Sequence, residues 1–212
     1  MMRRIVYTLL LLALALHVEA RTPMRNWLVA MPDSVMPLLT KNNKLDFIDF
    51  YDAKMEAVVT NRMEGKSRMD TLTADFVRFA YTPSTEVEMK LLAVNDSTDV
   101  LCMVTTMKAA VRDSRIAFFD EVWQPLKVSG YMVEPRIEDF RSTTHQGDSA
   151  QRAWSKMDIF FRTYHLCAEE ATLKCVLTAL DYLSREDREE VEPYVHQALD
   201  YRWTNGRMVC DE

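Results

Sequence analysis

The sequence predicts an α+β protein: an antiparallel β-sheet with helices packed on one face, arranged as two tandem related halves. Three observations predict this. Apolar residues recur at a helical period between Leu45 and Met55. The period drops to two from Phe76 onward. A hairpin over residues 85–107 falls on residues 158–180 after a shift without gaps.

The chain opens on Met1, Met2, Arg3 and Arg4, followed by a mostly apolar run from Ile5 to Val18 and then Val18-Glu19-Ala20. This is the basic start, apolar core and small-residue cleavage pattern of a secretory signal, with cleavage expected near Ala20–Arg21. A spanning helix needs about 20 apolar residues, and this run falls short. Residues 1–20 are therefore read as a signal peptide. Residues 21–132 form a first half of helical lead plus antiparallel meander. Residues 133–212 form a second, related half packed as one unit with the first.

Residues 21–31 are read as a leading strand or an unpaired segment. Asp33 caps a short helix through Leu39. Thr40 precedes a helix whose stripe is Leu45, Phe47, Ile48, Tyr51 and Met55, facing the core. Phe76–Tyr81 is a strand ended by Pro83. Val87, Met89, Leu91 and Ala93 alternate with Glu86, Glu88 and Lys90. The cluster Asn95-Asp96-Ser97-Thr98 turns the chain. With the turn centred on Ser97, Leu91 faces Cys102 and Met89 faces Val104, leaving Glu86, Glu88 and Asp99 on a solvated face. A third strand covers Arg115–Asp120, and a fourth begins near Trp123.

Residues 130–155 are loop-rich, with short helices at Ile137–Phe140 and Ala150–Lys156. Strand pattern returns at Asp158–Leu166 and Thr172–Leu180. Ser184 and Asp187 resemble a capping box before a charged helix stopped by Pro193. Asn205-Gly206 marks a last hairpin.

In the repeat, Val100-Leu101-Cys102-Met103-Val104-Thr105 meets Leu173-Lys174-Cys175-Val176-Leu177-Thr178. Tyr164 is expected opposite Cys175, and Arg162 breaks the inner face. Two such copies joined edge to edge would make one continuous sheet, similar to the tandem architecture of beta-lactamase-inhibitor-like proteins.

The 26 basic and 32 acidic residues argue against a nucleic-acid partner, which requires a basic stripe. No segment after the leader is long and apolar enough to span a bilayer. The expected partner is a protein, a peptide or a small ligand, and no cofactor is implied. Cys102, Cys167, Cys175 and Cys210 are disulfide candidates after export, with three pairings open.

Met31-Pro32-Asp33-Ser34-Val35-Met36-Pro37-Leu38-Leu39-Thr40, Leu45-Asp46-Phe47-Ile48-Asp49-Phe50, Gly65-Lys66-Ser67, Leu72-Thr73, Met89-Lys90-Leu91-Leu92 and Val94-Asn95-Asp96-Ser97-Thr98 are similar to an exported Bacteroidetes family of unknown function, domain 3256. The likeness covers most of the chain after the leader and is densest from 27 to 126. It implies the compartment and the fold but names no site. It also gives meaning to Asp-Ser/Thr patterns at Ser34, Thr71, Ser97 and Ser149, which resemble O-glycosylation acceptors of that phylum. The same dipeptides are ordinary turn and cap chemistry.

The catalytic motifs do not assemble. Gly65-Lys66-Ser67 lacks the glycine five residues earlier that a phosphate loop needs, and reads as a turn without a strand before it. No G-x-S-x-G or H-E-x-x-H occurs. No residue is assigned a catalytic or metal-ligating role. His145, His165 and His196 are far apart. His165 and Cys167 share one strand face, a geometry open to a base–thiol pair but expected of an exposed histidine beside a thiol. Carboxylate pairs such as Asp46/Asp49 sit in solvated faces and turns. The sequence therefore points to a non-catalytic binding or interaction module, with Trp123, Tyr131, Trp154 and Trp203 as binding candidates. The alternative is a hydrolase-type enzyme whose residues converge only in three dimensions.

Overall fold

The structure is a computed structural model that describes residues 21–142 and 147–211. The leader reading and His145 lie outside those residues.

The lead is helical. Helix α1 (Met24–Ala30) buries Met24, Trp27 and Leu28, the i, i+3, i+4 spacing of one helix face. The strand or unpaired lead expected here is corrected by that spacing, which Met31 extends. No helix follows Asp33. Residues 33–39 form turns, closed by Val35 N–H on Pro32 O and Leu39 N–H on Met36 O. Pro37 lacks an N–H and disfavours helical backbone at Met36, so the segment cannot coil. Thr40 then caps α2 (Lys41–Asp52): its hydroxyl accepts from Asn43 N–H, and the Asn43 side chain accepts from Thr40 N–H. The buried stripe is Lys44, Phe47 and Ile48, while Leu45 and Met55 are exposed.

Seven strands follow in sheet order identical to chain order: β1 (Ala57–Thr60), β2 (Lys66–Leu72), β3 (Phe76–Thr82), β4 (Thr85–Ala93), β5 (Asp99–Lys108), β6 (Arg112–Phe119) and β7 (Pro125–Leu126). Strand β1 precedes Gly65-Lys66-Ser67, contrary to expectation. The segment between β1 and β2 is a turn whose backbone is bound by its own Asn61. That side chain accepts from Met63 N–H and Gly65 N–H, which fills the place a phosphate would need.

The β4–β5 register differs by one residue from the expected one. Lys90 faces Cys102, Leu91 faces Leu101 and Met89 faces Met103. Val94 N–H bonds Thr98 O, and Asn95 Oδ1 accepts from Ser97 and Thr98 N–H, so the turn is tighter than one centred on Ser97. A slip of one exchanges faces. Here the pattern could not reveal it, because both faces are buried. Val87, Met89, Leu91, Leu101 and Met103 face a core shared with α1 and α2. Leu92, Val100, Cys102, Val104, Ile116 and Phe118 face a second core.

That second core is covered by a separate sheet, ordered β11-β10-β9-β8, of β8 (Arg162–Leu166), β9 (Thr172–Leu177), β10 (Ala198–Thr204) and β11 (Arg207–Cys210). The chain is thus α+β with two antiparallel sheets, fitting two related halves. The halves stack rather than joining edge to edge into one sheet. Tyr164 does oppose Cys175. The repeat correspondence holds along β5 and β9, where Cys102 and Cys175 enter the same core. It slips by one on β4 and β8, because Leu166 pairs Leu173 across a longer turn than Ala93 pairs Asp99.

The connections carry three short helices, α3 (Val128–Tyr131), α4 (Asp148–Trp154) and α5 (Arg185–Val191), with single 3₁₀ turns at Ile137–Phe140, Ala179–Tyr182 and Glu192–Tyr194. Ser184 caps α5 through Asp187 N–H. Asn205 and Gly206 both take positive φ, 51° and 76°, in the β10–β11 turn.

The expected solvated face of β4 does not exist. Glu88 is 5% and Lys90 2% exposed, and Asp99 is buried. Glu88 Oε2 accepts from Leu166 N–H at 2.8 Å, and Lys90 Nζ donates to Ala168 O at 2.7 Å while pairing Asp75. At the other end of β8, Asp113 Oδ1 accepts from Arg162 N–H. Two carboxylates from the larger sheet therefore occupy N–H groups on the outer edge of β8, which keeps that edge from recruiting another strand.

Candidate functional site

On the helix-bearing face, α2 lies over β1 and β2. The far halves of β5 and β6 carry no helix. Alternation sends Met103, Thr105, Arg115 and Ala117 to this face, where they floor a groove of about 830 Å³. Its walls are the turn from Ser34 to Pro37 and the segment at Trp123. The volume falls in the range of ligand sites, roughly 300–1,000 Å³. The lining mixes apolar and hydroxyl side chains with the charged Asp113 and Arg115, and Met107 is 51% exposed.

Trp123 is the unusual residue of this groove. Its φ is 62°, a left-handed value that costs a bulky side chain about 1–3 kcal/mol. Asp120 holds it there: Asp120 O accepts from Trp123 N–H, and its carboxylate accepts from Val122 and Gln124 N–H. The ring packs on Phe119 at 5.4 Å and edge-on to Trp27 at 6.0 Å. Trp123 is 5% exposed, and its indole N–H has no partner. The Trp27 N–H beside it is likewise unpartnered. Buried N–H groups are nearly always bonded, so these two adjacent indoles are exceptions within the packing beside the groove. Tyr81, on the same wall, accepts from Leu38 N–H through its hydroxyl, and burial raises its pKa.

The other aromatic candidates lie elsewhere, and none of the four is fully exposed. Tyr131 stacks between Phe118 (5.1 Å) and Trp203 (6.3 Å) beside the second core. The Trp203 indole donates to Ala93 O. Trp154 carries the Arg141 guanidinium at 5.5 Å. These contacts hold elements together; they do not converge on one site.

All four cysteines are free thiols. Cys102 and Cys175 are buried in the second core, with burial raising both pKa values, Cys175 to about 12. Cys167 sits at the β8–β9 turn, its Sγ near Glu169, and Cys210 at the end of β11 is exposed. The His165 ring is engaged with the Thr163 hydroxyl at 3.1 Å, so it and Cys167 use different partners. Of the modification candidates, Ser34 is exposed on the groove wall, Ser97 and Ser149 are exposed, and Thr71 is half-buried at a bulge in β2. Among the described residues no group of three metal-ligating side chains gathers.

Strongly displaced groups on the opposite side include the Glu88 carboxyl and the Tyr164 phenol. Burial pushes the Glu88 carboxyl up to about 7 despite the Leu166 N–H bond that favours its charge. Tyr164 is raised to about 12 by burial, against Arg162 Nε, which donates to its hydroxyl. Arg162, which broke the sequence pattern, also stacks on Phe160 and pairs Glu134.

Arg115 and Val35 to Pro37 were not named in advance, and Ser34 was named only as a modification candidate, not as part of a groove. The period-two run Met103-Thr105-Met107 was the available signal for the floor, but nothing local tells a groove from a covered face.

No curated protein matches the chain. A solved structure of a domain of an uncharacterized protein from Porphyromonas gingivalis W83 is similar, with a TM-score of 0.79 and 29% identity, covering 89% of this chain and 98% of that one. The protein-family description "Protein of unknown function (DUF3256)" matches residues 15–208. With that match across nearly the whole chain, and a like fold in Porphyromonas, the chain belongs to this family of unknown function.

Proposed function

We propose that the chain is an exported, non-catalytic binding module whose ligand sits in the groove beside Trp123. The carrying observation is the coincidence at Trp123 of left-handed backbone, a buried unpartnered N–H and a cavity wall. Strained, under-bonded residues gather where a ligand completes them. The groove lining supports binding over chemistry: of the carboxyl and thiols displaced furthest, Glu88 and Cys102 lie on the opposite face of the sheet and Cys175 on the second sheet packed against it. Export rests on the leader pattern of residues 1–20.

The test is retention of envelope components on the immobilised chain and on an Ala117→Arg form, which fills the groove floor. A component held by the first and lost from the second supports the reading; equal retention overturns it. For export, the mature protein is expected in the envelope fraction beginning at Arg21. An intact leader on cytosolic protein would contradict it.

A further inference from the structure

The groove floor changes character row by row. Strand register sets Thr85, Met107 and Asp113 side by side, then Thr105 with Arg115, then Met103 with Ala117, and Phe119 in the row beyond. At about 3.3 Å per residue, the stretch from Asp113 to Phe119 spans roughly 20 Å. Two residues of the lining are charged, Asp113 and Arg115, and both stand at the first end with Thr85 and Thr105. The far end is apolar, formed by Met103, Ala117, Phe119, Trp123 and Pro125. The groove is therefore amphipathic along its length.

Neither charge is consumed by the fold. Arg115 is exposed, and its side chain has no hydrogen bond or ion pair among the described residues. Asp113 Oδ1 accepts from Arg162 N–H at 3.3 Å, longer than the usual range. Its other oxygen has no partner among the described residues. A head with one cationic donor and one anionic acceptor answers both groups, whereas a singly charged head sets a like charge against one of them. The length and the 830 Å³ exceed what a lone amino acid fills. The apolar rows call for a body without polar groups, because an amide laid there would lose water and gain no partner. A hydrocarbon chain satisfies this and a peptide backbone does not.

We infer that the groove takes a single-chain zwitterionic amphiphile, with its ammonium at Asp113, its phosphate at Arg115 and its tail laid along Met103 and Ala117 toward Phe119. This rests on the groove-binding reading and names its ligand class. The guanidinium offers a two-pronged donor to phosphate oxygens, and the carboxylate accepts from a primary ammonium. The hydroxyls of Thr85 and Thr105 stand beside the head.

The experiment is titration calorimetry of the protein with single-chain phosphoethanolamine lipids of increasing acyl length, held below micelle formation. Affinity is expected to rise roughly fourfold per added CH₂ until the tail reaches the Phe119 end. A phosphate head without the ammonium, or a trimethylammonium head without N–H donors, is expected to bind about tenfold more weakly. Arg115→Gln is expected to weaken the phosphoethanolamine lipids about tenfold. Asp113→Asn, which keeps an acceptor for Arg162 N–H, is expected to erase the preference for ammonium over trimethylammonium. The head and tail series need no variant, so they decide the matter even if a substitution unfolds the chain. Affinity indifferent to tail length or to the ammonium overturns the inference, as does equal binding by Ala117→Arg, which places the lipid outside the groove. Tighter binding of trileucine with free termini than of the longest lipid also overturns it and assigns the groove to a peptide. No lipid bound, with an envelope component still held by the parent and lost from Ala117→Arg, keeps the groove and overturns the amphiphile. No lipid bound and equal retention overturns both.

Discussion

The two faces of the seven-stranded sheet solve the same problem differently. Both must leave water, but one is roofed by a second sheet and the other by two helices and a turn. The sheet-covered face carries charges into its seam and binds each: Glu88 to Leu166, Lys90 to Ala168 and Asp75, Asp113 to Arg162. The helix-covered face is apolar where covered and stops short, leaving Trp123 under-bonded at its margin. A buried polar group that finds a partner within the fold is a structural device. One left without a partner is an exception to that satisfaction, and here it lies at the margin of a cavity.

Perturbing each face should separate these roles. Phe118→Ala, in the seam-side core, is expected to cost about 3–5 kcal/mol of stability by urea unfolding. A substantially smaller loss would mean the sheets are not tightly packed there. Glu88 gives the next effect. Its pKa is raised from 4.5 to about 7 on folding, so the folded state holds an extra proton between those values. Its contribution is therefore most favourable below about pH 4.5 and declines as pH rises to about 7, by about 3 kcal/mol at most. Glu88→Gln keeps an acceptor for Leu166 N–H, so it should flatten that decline and make the protein more stable than the parent at pH 8. An unchanged pH profile would show that Glu88 is not desolvated. In the helical roof, Thr40→Ala removes the α2 cap and should cost about 1 kcal/mol with the seam's pH dependence intact. In the groove, Thr105→Arg should shift stability by less than about 0.5 kcal/mol while abolishing ligand retention. A loss as large as that of Phe118→Ala would reclassify the groove as core.

Much of the fold could be read from the sequence, and the failures share a cause. Ser184 as a cap, Pro83 as a strand end and Asn205-Gly206 as a turn are local devices, and each sits where its chemistry places it. Strand alternation also located β3 to β6 and the Tyr164–Cys175 pair. The register of β4 and the fate of Glu88 were not local. Glu88-Met89-Lys90-Leu91-Leu92 alternates as a half-solvated strand would, yet the sheet that buries it is encoded far along the chain. Likewise α1 was obscured because Pro23 and Pro32 bracket a helix of only two turns. Of the site, Trp123 was named in advance as an aromatic. Its left-handed backbone and orphan N–H are consequences of Asp120 and the tertiary packing, which no spacing rule encodes.

The stitching of β8 onto the larger sheet has a consequence for the order of assembly. Strands β1 to β7 each pair only with a chain neighbour, so this meander closes through short loops and can organise early. Glu88 and Lys90 then stand in water as ordinary charged residues until β8 arrives. Docking is the step that strips their hydration, so the last stage of maturation should carry the proton dependence while the first does not.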